Sequence, residues 1–444
     1  MNIFLSKQDI IKLAKLWVII ALLAILATSC GYQRKPGPEA ELATRLLSND
    51  IKEFRLTSGE TIIHAPDDLS LFSAIYQNVF VHYVHAVDTQ DLMTAASKGM
   101  REKYSDSIDI SDEELEVAAA RSMLVTLDPY STFMDRDEFR ALNEETRGSF
   151  GGLGVEVNKA SGMLTVISPI DGTPAAASYI KPGDIITHAD GVLLEPLSMR
   201  ESVKLLRGDV GTVVKLTILR EDHRPFDVIL ERAIIKVNPV ISRMEGEVGY
   251  IRITTFSAGA GIKVHDAMLA LEAQNRVRAY VLDLRNNPGG LLDEAISVSS
   301  NFLDGGDVVS IKSRDKNESY YAFKGNPSKE VPVVVLINKG SASSSEIVAG
   351  ALKDRARGIL LGEQTYGKGS VQSVLPLGRG RGVKITTAIY YTPNGLTVEG
   401  GIIPNLMVEL DDEREGDEQM EEALRLAIEM AGGPTILWNT GAVE

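Results

Sequence analysis

The chain carries a run of serines at a point where a buried strand gives way to a helix. The segment INKGSASSSEIVAGALKD spans residues 337–354, and its order of residues predicts a strand, a tight turn and a helix. A hydroxyl at such a turn lies at a sheet edge, where the first N–H groups of the helix face any anion formed beside it. This suits a nucleophilic serine with an oxyanion hole, although such a run taken alone is more often a helix cap. Spacing does not choose among Ser341, Ser343, Ser344 and Ser345.

A nucleophilic serine needs a base, and the histidines are poorly placed to supply one. Of the six histidines only His265 falls in the same region, on a predicted helix surface, and no G-x-S-x-G motif is present. Lys368, in the later segment GEQTYGKGS, is the alternative. Because burial disfavours the charged form, a lysine flanked by glycines at a strand end can act as the base of a Ser–Lys dyad.

The segment around Lys368 is also close to a phosphate-binding loop. Gly362, Gly367 and Lys368 match G-x-x-x-x-G-K, but Gly369 stands where a serine or threonine should ligate magnesium. The residues that follow have no helical period, whereas such a loop must open into a helix. We therefore reject nucleotide binding, and a formal charge of −15 argues against nucleic acid as a partner.

A second glycine-rich turn follows another predicted buried strand. VLDLRNNPGGLLDEA, residues 281–295, ends its strand at Arg285 and turns through NNPGG into a helix. This turn can supply the second N–H donor of an oxyanion hole, although taken alone it is a plausible plain connection. Glycine-rich turns at successive strand ends gather at one edge of an α/β sheet, where such folds place their sites.

The elements that must position these residues fall into regions of different composition. The 444 residues predict two to four domains, with the 44% hydrophobic and 24% charged content of a soluble globular protein. Residues 68–146 have mostly helical spacing, and residues 147–233 contain short β-rich runs that predict a small, partly open β-domain. Residues 234–410 alternate strands and helices, which predicts a layered α/β domain with largely parallel pairing. Its last part, including LTVEGGIIP, is β-type, and residues 411–444 hold a terminal helix.

The first residues predict export. Lysines precede the apolar run LWVIIALLAILA, which is shorter than the roughly 20 residues that a membrane-spanning helix needs, so residues 1–29 are predicted to be a signal peptide. LATSC resembles a bacterial lipoprotein processing site with Cys30 as the lipidated residue, and an uncleaved anchor is the alternative. Residues 30–67 are predicted to be a tether and N-terminal extension. Cys30 is the single cysteine, which excludes an intrachain disulfide and a cysteine-based metal cluster.

Together these motifs resemble those of the carboxyl-terminal processing (tail-specific) serine proteases. LDPYSTFM, GSFGGLGVEV, KPGDIITHADG and LLRGDVGTVVKLTILR are similar to the family's PDZ domain and the segment leading into it. DLRNNPGGLL, NKGSASSSEIVAGALKD, GEQTYGKGSVQ and YYTPNGLTVEGGIIPN resemble its protease core. The resemblance implies a multidomain α/β fold, with a crotonase-like layered α/β protease core, an inserted-type PDZ β-domain and an N-terminal helical segment.

The resemblance also implies roles for individual residues of the core. Ser343 becomes the nucleophile, Lys368 the general base and Gln372 the group that orients the lysine. The backbone N–H groups of Gly290 and Ser344 become the oxyanion hole. Members of the family commonly carry alanine at the position of Ser344, but a main-chain donor survives that difference. No metal or organic cofactor is implied.

The PDZ resemblance implies how a substrate is held. Gly152, Leu153, Gly154 and Val155 match the carboxylate loop, whose N–H groups bind a free C-terminus while the peptide adds as a strand. Arg207 is a candidate for sensing the bound peptide or for pairing with the core. The implied partners are unfolded or partly folded proteins with free apolar C-termini, and the helical region is a candidate surface for a homo-oligomer.

Two other functions compete with this interpretation. A PDZ adaptor or chaperone on an inactive protease scaffold would bind tails without cutting them, but the intact Ser343, Lys368 and Gln372 set argues against it. A crotonase-like acyl-CoA enzyme should lack both the signal peptide and the PDZ domain. The sequence therefore predicts an exported, membrane-tethered serine endopeptidase, on the periplasmic or extracytoplasmic face, whose activity rises with pH as Lys368 loses its proton.

Overall fold

The computed structural model describes residues 36–58, 66, 68–105, 110–160, 162–221, 223–274, 276–325, 330–409 and 416–432. The predicted signal peptide and Cys30 lie outside the described residues. Within the described part, no helix is both long enough and apolar enough to cross a membrane. One compact unit comprises the described residues up to Val81 together with Val87–Pro129, and a second comprises His82–Ala86 and the described residues from Tyr130 onward.

The first unit is helical, as its spacing predicts. Its helices are α1 Pro38–Thr57, α2 Ser70–His82, α3 Thr89–Lys103 and α4 Asp112–Val125. The last of these begins with a capping box, in which the Ser111 hydroxyl accepts from the Glu114 N–H and the Glu114 carboxylate accepts from the Ser111 N–H. Large apolar side chains of α2, among them Phe72 and Tyr76, are fully buried.

Helix α1 corrects the predicted tether. Buried residues recur along it at helical spacing: Ala40, Ala43, Leu47, Ile51 and Phe54. Pro38, a residue type that is common in linkers, occupies the first turn of this helix, where a missing N–H costs nothing. Residues 38–57 therefore belong to the helical core of this unit.

The second unit begins with β1 Thr132–Met134, α5 Arg136–Arg147 and β2 Ser149–Gly152. Strand β1 pairs antiparallel with a strand of the α/β domain at Gly382–Lys384, so the last part of the predicted helical region belongs with that domain. Strand β2 pairs antiparallel with residues 233–236, so the predicted domain boundary at residue 233 falls inside a strand. Strand pairing between segments that are distant in sequence sets these domain boundaries, and such pairing cannot be predicted from amino-acid composition.

The β-domain forms a six-stranded sheet with one helix, in agreement with its β-rich runs. Its elements are β3 Val155–Ala160, β4 Met163–Pro169, β5 Ile185–Ala189, β6 Val192–Leu193, α6 Met199–Leu206, β7 Val213–Leu219 and β8 Phe226–Glu231. The strand order is β3-β4-β5-β7-β8, with β6 beside β5. Alternate apolar residues fill its core, for example Val214, Leu216 and Ile218 of β7.

The domain predicted from residues 234–410 is a layered α/β domain. Its elements are β9 Ala233–Lys236, β10 Val240–Glu245, β11 Val248–Ile253, α7 Ala260–Gln274, β12 Ala279–Asp283, α8 Leu292–Ser300, β13 Asp307–Ser313, β14 Asn317–Tyr321, β15 Val333–Ile337, α9 Ser344–Asp354, β16 Ile359–Gly362, β17 Ser370–Gly378, β18 Arg381–Tyr391, β19 Leu406–Met407 and α10 Glu418–Met430. The central sheet has the order β10-β11-β12-β15-β16-β19 and is parallel apart from the β10–β11 pair. A second sheet joins β1, β18, β13 and β14, with β17 beside β18.

Helices cover both faces of the central sheet. Strands β12 and β15 are buried along their whole length, as expected of a parallel sheet between helical layers. Helix α10 packs on one face through Met420, Ala423 and Ala427, so the predicted separate tail segment is part of the core layer.

The predicted β-type run LTVEGGIIP is mostly irregular. Only Thr397 forms an isolated bridge, to Tyr391. Gly400 and Gly401 adopt φ values of 88° and 89°, a left-handed conformation that interrupts a strand.

Candidate active site

The three glycine-rich turns lie at one edge of the central sheet. Strands β12, β15 and β16 are parallel neighbours, with Asp283 opposite Leu336 and Ile337 opposite Gly362. The turns that follow them therefore start side by side at the carboxyl edge of the sheet. This is where open α/β folds place their sites.

Ser343 occupies a strained turn between β15 and α9. Its backbone has φ 54° and ψ −114°, in a region that residues other than glycine seldom adopt. Such strain costs on the order of 1–3 kcal/mol and persists only where the surroundings enforce it. Ser343 is partly exposed, whereas its neighbours Ala342 and Ser344 are buried.

The hydroxyls of the four candidate serines differ in what they contact. Three of them donate to backbone carbonyls of the turn after β12: Ser341 to Leu284 (2.8 Å), Ser344 to Gly290 (3.0 Å) and Ser345 to Asn287 (2.8 Å). These three side chains are buried and hold two turns together. Within the described residues the Ser343 hydroxyl donates to no carbonyl. Ser343 is also the one partly exposed serine of the four.

Two N–H groups beside Ser343 are available to an anion. The turn after β12 packs so closely on the start of α9 that a Cβ on Gly289 would lie 2.9 Å from the Ser344 nitrogen. The Gly289 carbonyl accepts from the Phe256 N–H at 2.9 Å, which fixes the peptide plane that carries the Gly290 N–H. Among the described residues, neither the Gly290 nor the Ser344 N–H donates a hydrogen bond to another group.

Glu346 joins the serine turn to the lysine loop, a role that sequence reasoning missed. Its carboxylate Oε2 accepts from the Ser343 N–H at 2.8 Å and from the Lys368 N–H at 3.0 Å. Oε1 accepts from the Gly367 N–H at 2.7 Å and from the Thr365 hydroxyl at 2.6 Å. The side chain is fully buried, so the backbones of Ser343 and Lys368 are held by one oxygen atom.

Aromatic side chains enclose this edge. The Lys368 Nζ lies 4.9 Å from the centroid of the Tyr130 ring, within cation–π distance. The Tyr390 hydroxyl lies 3.4 Å from Glu346 Oε2 and 3.3 Å from the Ser343 carbonyl. Burial, and then the nearby Glu346 carboxylate, raise the pKa of Tyr390 well above 10, so this hydroxyl remains a donor.

Gln372 lies on β17 just after the lysine loop. Its Nε2 donates to the hydroxyls of Ser370, at 3.1 Å, and Thr386, at 2.9 Å. Its Oε1 is buried and has no hydrogen-bond partner among the described residues. A buried acceptor without a donor is costly, so this oxygen can accept one further hydrogen bond.

A second buried carboxylate, Asp283, lies at the end of β12. It accepts from the Tyr250 hydroxyl at 2.8 Å and from the Arg285 guanidinium at 2.8 and 3.0 Å. Arg285 also binds Asp417, at the start of α10, at 2.7 Å. Burial alone would lower the pKa of Arg285, but its bonds to Asp283 and Asp417 outweigh burial and raise it. This network attaches α10 to the sheet.

The predicted carboxylate loop lies between β2 and β3. Gly152 ends β2, Leu153 is buried, and Val155 starts β3. Gly154 has φ 73°, and a Cβ there would lie 2.2 Å from the Thr173 side chain, so this position requires glycine. The loop is thus a tight turn directly before an edge strand.

Arg207 lies at the end of α6 and turns toward α5. Its guanidinium lies 4.0 Å from the Phe150 ring centroid and 4.0 Å from the Glu144 carboxylate. It therefore contacts the segment that leads into the β-domain.

Within the described residues no group of His, Cys, Asp and Glu has the arrangement of a metal site.

Comparisons with known proteins define the class of this chain. The model of peptidase family S41 matches residues 247–408, and the PDZ domain model matches residues 151–228. The chain is therefore a serine peptidase that carries a PDZ domain.

Relatives specify the family. The chain is 43% identical over 305 residues to a carboxy-terminal-processing protease of Bartonella bacilliformis, covering 67% of this chain and 70% of the relative. It is 36% identical over 327 residues to the carboxy-terminal processing protease CtpA of Bacillus subtilis, covering 72% and 69%. A solved photosystem II D1 C-terminal processing protease is 29% identical, with a TM-score of 0.48 over 82% of this chain and 98% of that one. The chain belongs to the carboxy-terminal processing proteases of peptidase family S41.

Proposed function

We propose that the chain is an endopeptidase that cleaves proteins with a Ser343–Lys368 dyad after its PDZ domain has captured their C-terminal tails. The observation that carries the proposal is the double attachment to Glu346. One buried carboxylate oxygen accepts from the N–H groups of both Ser343 and Lys368. A nucleophile and its base must stay in register, and a shared acceptor enforces that register without contacting the substrate.

The reaction follows from these positions. Neutral Lys368 takes the proton of the Ser343 hydroxyl while the oxygen attacks the scissile carbonyl carbon. The N–H groups of Gly290 and Ser344 stabilise the oxyanion of the tetrahedral intermediate. Protonated Lys368 then gives its proton to the leaving amine, which leaves an ester on Ser343. Water, deprotonated by Lys368, hydrolyses that ester and frees the serine.

Gln372 completes the dyad in this proposal. Its unpartnered Oε1 is the acceptor for the Lys368 ammonium while the lysine holds the proton. Both the neutral amine and the ammonium can donate to this oxygen, but the charge of the ammonium strengthens the hydrogen bond, so Gln372 holds the lysine most firmly between proton uptake and proton release.

Tail capture rests on the loop and strand at the start of the PDZ sheet. Gly152, Leu153 and Gly154 form a turn directly before β3, an edge strand. A free C-terminal carboxylate at this turn lets the tail pair with β3 as an added strand. Arg207, between the PDZ helix and α5, is our candidate for linking tail binding to the core. We also propose export and lipid attachment at Cys30, and assembly of copies through the helical unit.

The test is cleavage of an unfolded protein with a free apolar C-terminus, in EDTA, by the chain from Gly31 onward. We expect the parent to cleave it, Ser343→Ala and Lys368→Met to be inactive, and C-terminal amidation to slow the parent. Equal cleavage by Ser343→Ala would refute the assigned nucleophile. Tail binding without cleavage by the parent would favour an adaptor.

A further inference from the structure

Strand β3 is an edge strand, so the residues of a bound tail can be matched one by one with the residues of β3. It is the first strand in the order β3-β4-β5-β7-β8, and β4 is its strand partner among the described residues. A tail whose carboxylate lies at the turn before β3 runs antiparallel to it. Its last residue then lies beside Val155, its third-last beside Val157 and its fifth-last beside Lys159. This register rests on the proposed tail capture.

Alternate residues of β3 point to different environments. Val155, Val157 and Lys159 are partly buried, whereas Glu156 and Asn158 are exposed. Val155 and Val157 pack against the apolar core of the domain. Because residues directly opposite each other in an antiparallel pair share a face, the last, third-last and fifth-last tail residues point inward.

Lys159 places a positive charge on this inward face. Its Nζ donates to the Leu194 carbonyl and, at 3.0 Å, to the hydroxyl of Ser202 on α6. Both partners are neutral, and Ser202 is itself fully buried. The ammonium therefore connects the edge strand β3 with helix α6, and a tail that pairs with β3 would lie in the groove between these two elements.

No carboxylate of the described residues forms an ion pair with Lys159. The nearby Glu201 carboxylate interacts with Lys159 only through space, because it accepts from the Ser198 N–H at 2.7 Å as a helix cap. A partly buried ammonium with two neutral acceptors keeps one proton for a further acceptor, and a carboxylate is the strongest one available. The Lys159 ammonium can therefore bind a carboxylate of a tail that pairs with β3.

We propose that Lys159 selects tails with an aspartate or glutamate at the third-last or fifth-last position, ahead of an apolar last residue. Both positions lie on the face of Lys159, the fifth-last beside it and the third-last two residues along the strand. An acidic fourth-last residue points to the opposite face, beside Asn158, and gains nothing. The substrate class is then a protein tail with one acidic residue in this alternate register.

The test is peptide binding to the full chain with Ser343→Ala, so that no cleavage occurs. Fluorescent peptides of one sequence with a free apolar end carry either Glu or Gln at the third-last, fourth-last or fifth-last position. We expect Glu to bind roughly three- to tenfold more tightly than Gln at the third-last or fifth-last position, and equally at the fourth-last. Lys159→Met should abolish this ratio, and Lys159→Arg should retain it.

The outcomes separate this inference from tail capture itself. If free-tail peptides bind, amidated ones do not, and the Glu to Gln ratio is one throughout, the inference is wrong and tail capture stands. A ratio that persists in Lys159→Met also overturns it. If amidated and free peptides bind equally, or neither binds, tail capture and the inference fail together.

Discussion

Two buried carboxylates follow neighbouring strands of the central sheet and are held in opposite ways. Glu346 accepts from three backbone N–H groups and two hydroxyls, all of them neutral. Asp283 accepts from the Arg285 guanidinium and the Tyr250 hydroxyl, and from a single backbone N–H, that of Arg285 at 2.9 Å. Four of the donors around Glu346 come from the loops that carry Ser343 and Lys368, and the fifth is Tyr390 on β18, whereas the donors around Asp283 are Tyr250 on β11 and Arg285 in the turn after β12.

The different partners of the two carboxylates give them different roles: Glu346 positions loops, and Asp283 stabilises the fold. A buried carboxylate bound by backbone N–H groups fixes where loops lie, so its loss should displace them first. A buried carboxylate paired with a guanidinium compensates a second buried charge, so its loss leaves that charge exposed to an apolar interior. We expect Glu346 to govern activity and Asp283 to govern folding.

The largest expected effect is on stability in Asp283→Asn. Removing one partner of a buried ion pair costs about 3–5 kcal/mol, and Asp417 still neutralises part of the Arg285 charge, so we expect a loss of about 3 kcal/mol. Urea denaturation measures it. The control is Asp283→Asn with Arg285→Met, which removes both charges and should recover part of the loss. Unchanged stability in the single variant would contradict the assigned role.

The next effect is on catalysis in Glu346→Gln. The amide keeps one acceptor oxygen but turns an NH2 group toward N–H donors, so the loops of Ser343 and Lys368 shift apart. A displacement near 1 Å costs about a hundredfold in rate, which a cleavage assay measures. The loss of unfolding free energy should be smaller than in Asp283→Asn.

Glu363→Gln is the matched control for Glu346→Gln. Glu363 lies just after β16 and pairs at 3.8 Å with exposed Lys339. We expect it to retain the parent rate. A full rate in Glu346→Gln would refute the shared-acceptor argument.

Low pH should reduce the stability that the Asp283–Arg285–Asp417 network contributes, because Asp417 becomes protonated. Burial alone would raise the pKa of Asp417, but hydrogen bonds from Arg285 outweigh burial and lower it below 3.8. A folded-state pKa below the unfolded one gives stability that is present above about pH 4 and is lost as pH falls through the folded value. Urea midpoints between about pH 5 and 2 should fall more steeply for the parent than for Asp417→Asn. Parallel profiles would contradict this.

The smallest expected effect is in Ser344→Ala. The hydroxyl donates to the Gly290 carbonyl at 3.0 Å and so holds the turn that carries one of the two proposed oxyanion donors. The backbone N–H remains, so the loss is about one net hydrogen bond, near 1 kcal/mol or about fivefold in kcat. KM should not change, because the turn acts on the transition state. A rise in KM alone would point to a substrate contact.

Much of this architecture could be predicted from the sequence because local pattern determines it. Alternating strands and helices predict the parallel sheet, and glycine-rich turns at strand ends predict the edge where Ser343 and Lys368 lie. Helix α1 was missed because Pro38 resembles a linker residue when its neighbours' spacing is not counted. The run LTVEGGIIP was assigned as a strand because its β-branched residues outweighed the two glycines.

The role of Glu346 could not be predicted from spacing. Three residues after Ser343, it matches the capping-box pattern, which explains it as a local helix cap. Its other partners are distant in sequence and meet it only in the folded core: Thr365, Gly367, Lys368 and Tyr390. The same holds for the pairing of Arg285 with Asp417 across the sheet.

The central claim is that Ser343 is a nucleophile activated by Lys368. Reaction with a fluorophosphonate, followed by peptide mass spectrometry, tests it most directly. We expect a single adduct on Ser343, formed at least a hundredfold more slowly in Lys368→Met, on the order of a general-base contribution. An adduct on Ser341, Ser344 or Ser345, or unchanged labelling of Ser343 in Lys368→Met, would contradict it.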